Sequence, residues 1–116
     1  MPLIITDEEI SGHAILAAAG DLDLTTAPQL TSAAVRLIET GTRDIIVDAS
    51  RLEFCDSSGL SALLRIVGHL GPQGGRLAIV NPHPIVLRVL QLCGLDEAVL
   101  IADTVPSAIL EFAGAR

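Results

Sequence analysis

The densest polar cluster in this apolar chain is Asp56-Ser57-Ser58-Gly59, set between a hydrophobic run ending at Cys55 and a stripe of leucines beginning at Leu60. Two hydroxyls, a carboxylate and a glycine meet where the first amides of a helix have no intrahelical partners. Such a junction suits a plain helix cap, an anion-binding nest, a nucleophile turn or a phosphorylation switch. Asp and Ser are preferred caps worth about 1 kcal/mol, but a cap uses one side chain and three are present. Gly59 in a first helical turn loses about 1 kcal/mol against Ala, and a residue that small would let another backbone approach closely. A nucleophile would need a base oriented on the serine. The three histidines, His13, His69 and His83, have no spacing that points at Ser57. Cys55 also stands where a Gly-x-Ser-x-Gly elbow would have its first glycine. No catalytic residue is expected, and isolated histidines without a Cys/His grouping give no zinc pattern. No metal and no cofactor are expected.

Phosphorylation of Ser57 has a direct physical consequence. It adds roughly −1.5 to −2 charges at pH 7. The free amides and dipole of a helix start could tolerate that charge. A partner docking on the same surface would instead meet a more negative, obstructed face. Two further loops carry polar groups. Gly20-Asp21-Leu22-Asp23 reads as a turn with solvated carboxylates, and Asn81-Pro82-His83-Pro84 as a stiff loop opening a helix.

These loops need elements to hold them. Residues 3–6 and 13–19 are short apolar runs that can pair as a hairpin. Thr25 or Thr26 can cap a helix with Pro28 in its first turn; Leu30, Ala33, Ala34, Leu37 and Ile38 recur at helical spacing, and Gly41 stops it. Ile45-Ile46-Val47 suits a strand covered on both faces. A helix stripe runs over 60–70, a strand over 76–80, a helix over 84–93 with Gly94 as its C-cap, a strand over 98–102 and a helix over 106–113. This alternation predicts a single-domain α/β fold over 1–116, with a mixed, mostly parallel sheet of about five strands and four helices. Ligands of open α/β sheets collect beyond the carboxyl ends of the strands. The loops 20–26, 52–59 and 81–84 are expected there.

Composition narrows the function classes. Fourteen Asp and Glu stand against seven Arg and no Lys, giving a net charge of −7. The arginines are scattered singly, which argues against a nucleic-acid or anionic membrane surface. Trp and Tyr are absent and Phe numbers two, so stacking platforms for single-stranded nucleic acid are missing. Cys55 and Cys93 form no Cys-x-x-Cys pair and lie among apolar residues, so free buried thiols of a reducing compartment are expected. No signal peptide pattern or bilayer-length apolar segment is found. The chain reads as cytoplasmic.

Three segments together carry a family likeness: Gly20-Asp21-Leu22-Asp23; the run 47–60 containing Asp56-Ser57-Ser58-Gly59-Leu60; and Val89-Leu90-Gln91-Leu92-Cys93-Gly94-Leu95-Asp96. In this order and spacing the chain resembles the STAS family, specifically bacterial anti-sigma factor antagonists, over nearly its whole length. The resemblance implies a regulatory protein that is not an enzyme. Unphosphorylated, it would bind a serine-kinase anti-sigma factor and release the sigma factor held there. Phosphorylation by that kinase would switch binding off, and a metal-dependent serine phosphatase would reverse it. Carried onto this sequence, the acceptor is Ser57, with Asp56, Ser58, Gly59 and Asp23 on the partner-binding surface. The same family also includes ligand- or nucleotide-sensing modules and adaptor subunits of transport or signalling complexes, and that alternative stays open at the level of sequence.

Overall fold

The computed structural model describes residues 2–114. Its sheet has five strands in the order β1-β2-β3-β4-β5: β1 Leu3–Ile10, β2 His13–Leu22, β3 Ile45–Cys55, β4 Leu77–Val80 and β5 Leu100–Ala102. Four α-helices alternate with the strands: α1 Ala27–Glu39, α2 Ser57–Leu70, α3 Pro84–Leu92 and α4 Val105–Gly114. β1 pairs antiparallel with β2, and every later pairing is parallel. This is the mixed α/β sheet with four helices that the alternating pattern predicts.

Because the strands are added in sequence order with crossovers of one hand, successive helices fall on the same face. Leu16, Ala18, Val47, Ala49, Leu77 and Ile79 point to that face and pack under α1, α2 and α3 through Leu30, Ala34, Leu63, Ile66 and Leu90. The alternate residues Ile15, Ile46, Ala78 and Val80 point the other way, against Ala108 and Phe112 of α4. The period of two along each strand thus produces two core layers.

The strands run longer than their apolar runs. The β1–β2 hairpin closes on Ser11 and Gly12, with φ of 52° and 80°, the positive pair that a two-residue type I′ turn requires. It carries the acidic Asp7, Glu8 and Glu9 into β1. β3 continues eight residues past Val47, to Cys55. Along it the partner register shifts between Ala17 and Ala19, and again between Gly20 and Asp21. Each shift leaves β3 one residue longer than β2 and breaks the alternation of buried and exposed positions. That is why this part of the strand resembles a loop in sequence. β5 begins at Leu100 because residues 95–97 form a 3₁₀ turn.

Candidate functional site

Leu22 and Cys55 are register partners at the ends of β2 and β3, and adjacent strands lie about 4.8 Å apart. The loops that follow, through Asp23 and through Asp56-Ser57, therefore leave the sheet side by side. The Asp56 N–H donates to the Leu22 carbonyl at 3.2 Å and ties the two together. The third loop is not level with them. β4 pairs with β3 only as far as Val80↔Asp48, well short of Cys55, so Asn81 and His83 leave the sheet at an earlier point. There His83 Nδ1 accepts from the Ile85 N–H at 3.4 Å and caps α3.

Asp56 is the N-cap of α2. Its backbone is extended, and one oxygen, Oδ1, accepts from the Ser58 N–H at 2.9 Å and the Gly59 N–H at 3.1 Å. Those are first-turn amides that a phosphate could otherwise have used, so the cap has already taken them. Ser57, at the first helical position, is exposed, whereas Ser58 is half-buried. Ser58 faces a cleft of about 350 Å³ between α1 and α2, shared with Leu24, Pro28 and Arg65.

Gly59 is buried and presents no side chain to a surface. A Cβ built on it would sit 2.7 Å from Cys55 Sγ and 2.8 Å from the Leu22 carbonyl oxygen. The close backbone approach that this glycine permits is made to the end of β2. It seats the start of α2 directly on the two strands that carry the site.

Asp23 organises the neighbouring loop. Its Oδ1 accepts from the N–H groups of Thr25 at 3.0 Å and Thr26 at 3.1 Å. The Thr26 hydroxyl is turned inward, accepting from the Asp23 N–H at 2.9 Å and lying 2.7 Å from the Asp21 carbonyl. The Thr26 amide, foremost, and its hydroxyl hold the Asp23 carboxyl below its ordinary pKa. Thr26 is the N-cap residue of α1 without making a side-chain cap bond; the carboxylate three residues earlier fixes the turn.

Sequence reasoning missed two exposed apolar residues close in the chain to these loops. Leu24 is 76% exposed and Phe54 48% exposed, one beside Asp23 and the other two residues before Asp56. A leucine flanked by Asp23 and Thr25 in a polar loop was a readable signal, because nothing there could bury it. Phe54 was hidden by the bulged strand. Cys93 also departs from expectation. Cys55 is buried, but Cys93 is exposed, since it lies just past the end of α3, where the chain turns away at Gly94. Burial, foremost, with the Asp56 charge and Cys93 beside it, pushes the Cys55 thiol up to about 11. His13, His69 and His83 lie on β2, in the last turn of α2 and ahead of α3. Among the described residues no helix is long and apolar enough to cross a membrane.

The family model of the STAS domain matches residues 5–108. The chain belongs to the STAS domain family. The anti-sigma-F factor antagonist RsfB of Mycobacterium tuberculosis is 27% identical over 114 residues, covering 98% of this chain and 93% of its own. An anti-sigma factor antagonist from Mycobacterium paratuberculosis superposes with a TM-score of 0.85 at 27% identity, over 94% of this chain and 92% of that one. The Bacillus cell fate determinant SpoIIAA, solved in its phosphorylated form, gives a TM-score of 0.74 at 27% identity, over 94% of this STAS domain and 99% of its own chain.

Proposed function

We propose that this STAS protein is an anti-sigma factor antagonist, a regulator without catalysis of its own. Unphosphorylated, it captures a serine-kinase anti-sigma factor and frees the sigma factor; phosphorylated on Ser57, it lets go. A metal-dependent serine phosphatase resets it. The observation that carries this reading is the exposure of Ser57 at the first position of α2, beside a cap that already holds the helix amides. Ser58 is half-buried toward α1, so the two adjacent hydroxyls are not equally open to a kinase.

The cap also determines what the phosphate does. With Asp56 on the Ser58 and Gly59 amides, a phosphoryl group on Ser57 has no vacant helix amide of that pair to fold onto. It stays at the surface, next to a carboxylate and near Asp23. The face gains roughly −1.5 to −2 charges. Like-charge juxtaposition at an interface costs several kcal/mol, and each 1.4 kcal/mol is about tenfold in affinity. Release needs no rearrangement of the fold. Asp23, Asp56 and Ser58, with Leu24 as an apolar contact, form the docking face; Gly59 contributes by seating the helix. The relatives' description as antagonists, and the solved phosphorylated state of SpoIIAA, support the same reading.

The test is to isolate the kinase by affinity capture from the source cell, then incubate both proteins with ATP. One phosphate should be added to the wild type and none to Ser57→Ala, while Ser57→Asp should bind the kinase at least about tenfold more weakly. Transfer to Ser58, or full binding by Ser57→Asp, would overturn the mechanism.

A further inference from the structure

The β1 edge of the sheet carries a second surface, one that does not include Ser57. β1 is an outer strand of the sheet, and its pairing with β2 runs from Leu3↔Gly20 to Ile10↔His13 without a bulge. Edge strands are ordinarily blunted by shortness, proline, bulges or charge. This one is eight residues long, contains no proline and has no bulge. Its only guard is the acidic run Asp7-Glu8-Glu9.

The geometry fixes which backbone groups are open. A two-residue turn is closed by a pair that exchanges both hydrogen bonds, here Ile10 and His13, and bonded and non-bonded pairs alternate from there. The N–H and C=O groups of Leu3, Ile5, Asp7 and Glu9 therefore point away from β2. The side chains of Leu3, Ile5 and Asp7 line a groove of about 810 Å³ whose other wall is α1, through Ala33, Arg36 and Leu37. A strand laid along β1 would find outward amides and carbonyls for its backbone. Alternate side chains would drop into the groove, as in strand addition elsewhere.

Charge decides the occupant. Asp7 and, by the alternation of the strand, Glu9 lie on the groove side of β1 with Arg36, while Glu8 lies on the other; acid outnumbers base there, and a second copy would bring the same acids and another net charge of −7. We propose that the β1 edge and the α1 groove form a strand-addition site for an extended, basic segment of a partner protein.

The probe is an eight-residue peptide alternating Val and Lys, compared with one alternating Val and Glu, read by amide hydrogen exchange on the full chain at low salt. The basic peptide should protect the amides of Ile5, Asp7 and Glu9 while leaving Thr6, Glu8 and Ile10, already bonded to β2, unchanged. It should bind at least about tenfold more tightly than the acidic peptide, and less so as salt rises. Asp7→Lys with Glu9→Lys should invert the preference. Equal affinity of the two peptides, protection confined to the Ser57 face, or no alternating protection would overturn the proposal. So would the same alternating pattern appearing without peptide as protein concentration rises, which would make a second copy the occupant.

Discussion

Gly59→Ala sets two known effects against each other. Replacing glycine by alanine inside a helix ordinarily stabilises it by about 1 kcal/mol. Here the new methyl would lie 2.8 Å from the Leu22 carbonyl oxygen and 2.7 Å from Cys55 Sγ. Forced overpacking costs roughly 1–3 kcal/mol. The Leu22 carbonyl is also the acceptor of the Asp56 N–H, and disturbing such a bond adds about 1 kcal/mol. The clash should win, with a net loss of about 2 kcal/mol. In urea, with a slope of about 1–3 kcal/mol per molar, the midpoint should fall by about 1 M at unchanged slope. The same displacement moves Ser57, so on the proposed function its phosphorylation should slow even where the variant is fully folded. A midpoint at or above that of the wild type would refute the packing argument, since it would show that the end of β2 yields freely.

Asp56→Ala should cost about 1 kcal/mol by removing the bonds to the Ser58 and Gly59 amides, with Asp56→Asn costing less because its amide oxygen still accepts; denaturant midpoints would rank the three proteins. Asp23 titrates below its ordinary value in the folded chain, so its contribution is complete above the unfolded pKa and is lost as pH falls through the folded one. The stability difference between wild type and Asp23→Asn should accordingly shrink below the ordinary carboxylate range, as measured by urea unfolding at stepped acidic pH. With the Cys55 thiol pushed up to about 11 and buried, and Cys93 exposed, a disulfide reagent at pH 7 should titrate Cys93 in the native protein and Cys55 only after unfolding; rapid reaction of both thiols would contradict the packing around Cys55.

Much of the architecture was legible because period and punctuation agree. Helical spacing from Leu30 to Ile38, stopped near Gly41, and the run Ile45-Ile46-Val47 each admit one reading. So do the leucine stripe ending at Gly71-Pro72 and the Pro84 start. The second half of β3 was not legible. Its two register shifts scramble the period of two, and only pairing with β2 shows that residues 48–55 are strand. The acidic end of β1 was hidden for a related reason: Asp7, Glu8 and Glu9 sit on an edge where one side meets solvent, so burial leaves no mark on their sequence.

The sequence by itself singled out Asp56-Ser57-Ser58-Gly59 as the candidate site, because residue types suited to a helix start are concentrated there and no base is spaced to make the serine a nucleophile. It could not choose between Ser57 and Ser58 on local grounds, nor show that Asp56 would take the amides a phosphate might have used. Those points depend on which way α2 rolls against β2, β3 and α1, and that is set by a buried glycine meeting a carbonyl thirty-seven residues away in the chain. Contacts of that separation are made only when the sheet assembles. Only the tertiary structure, therefore, turned a row of polar residues into one exposed hydroxyl, one cap and one half-buried neighbour.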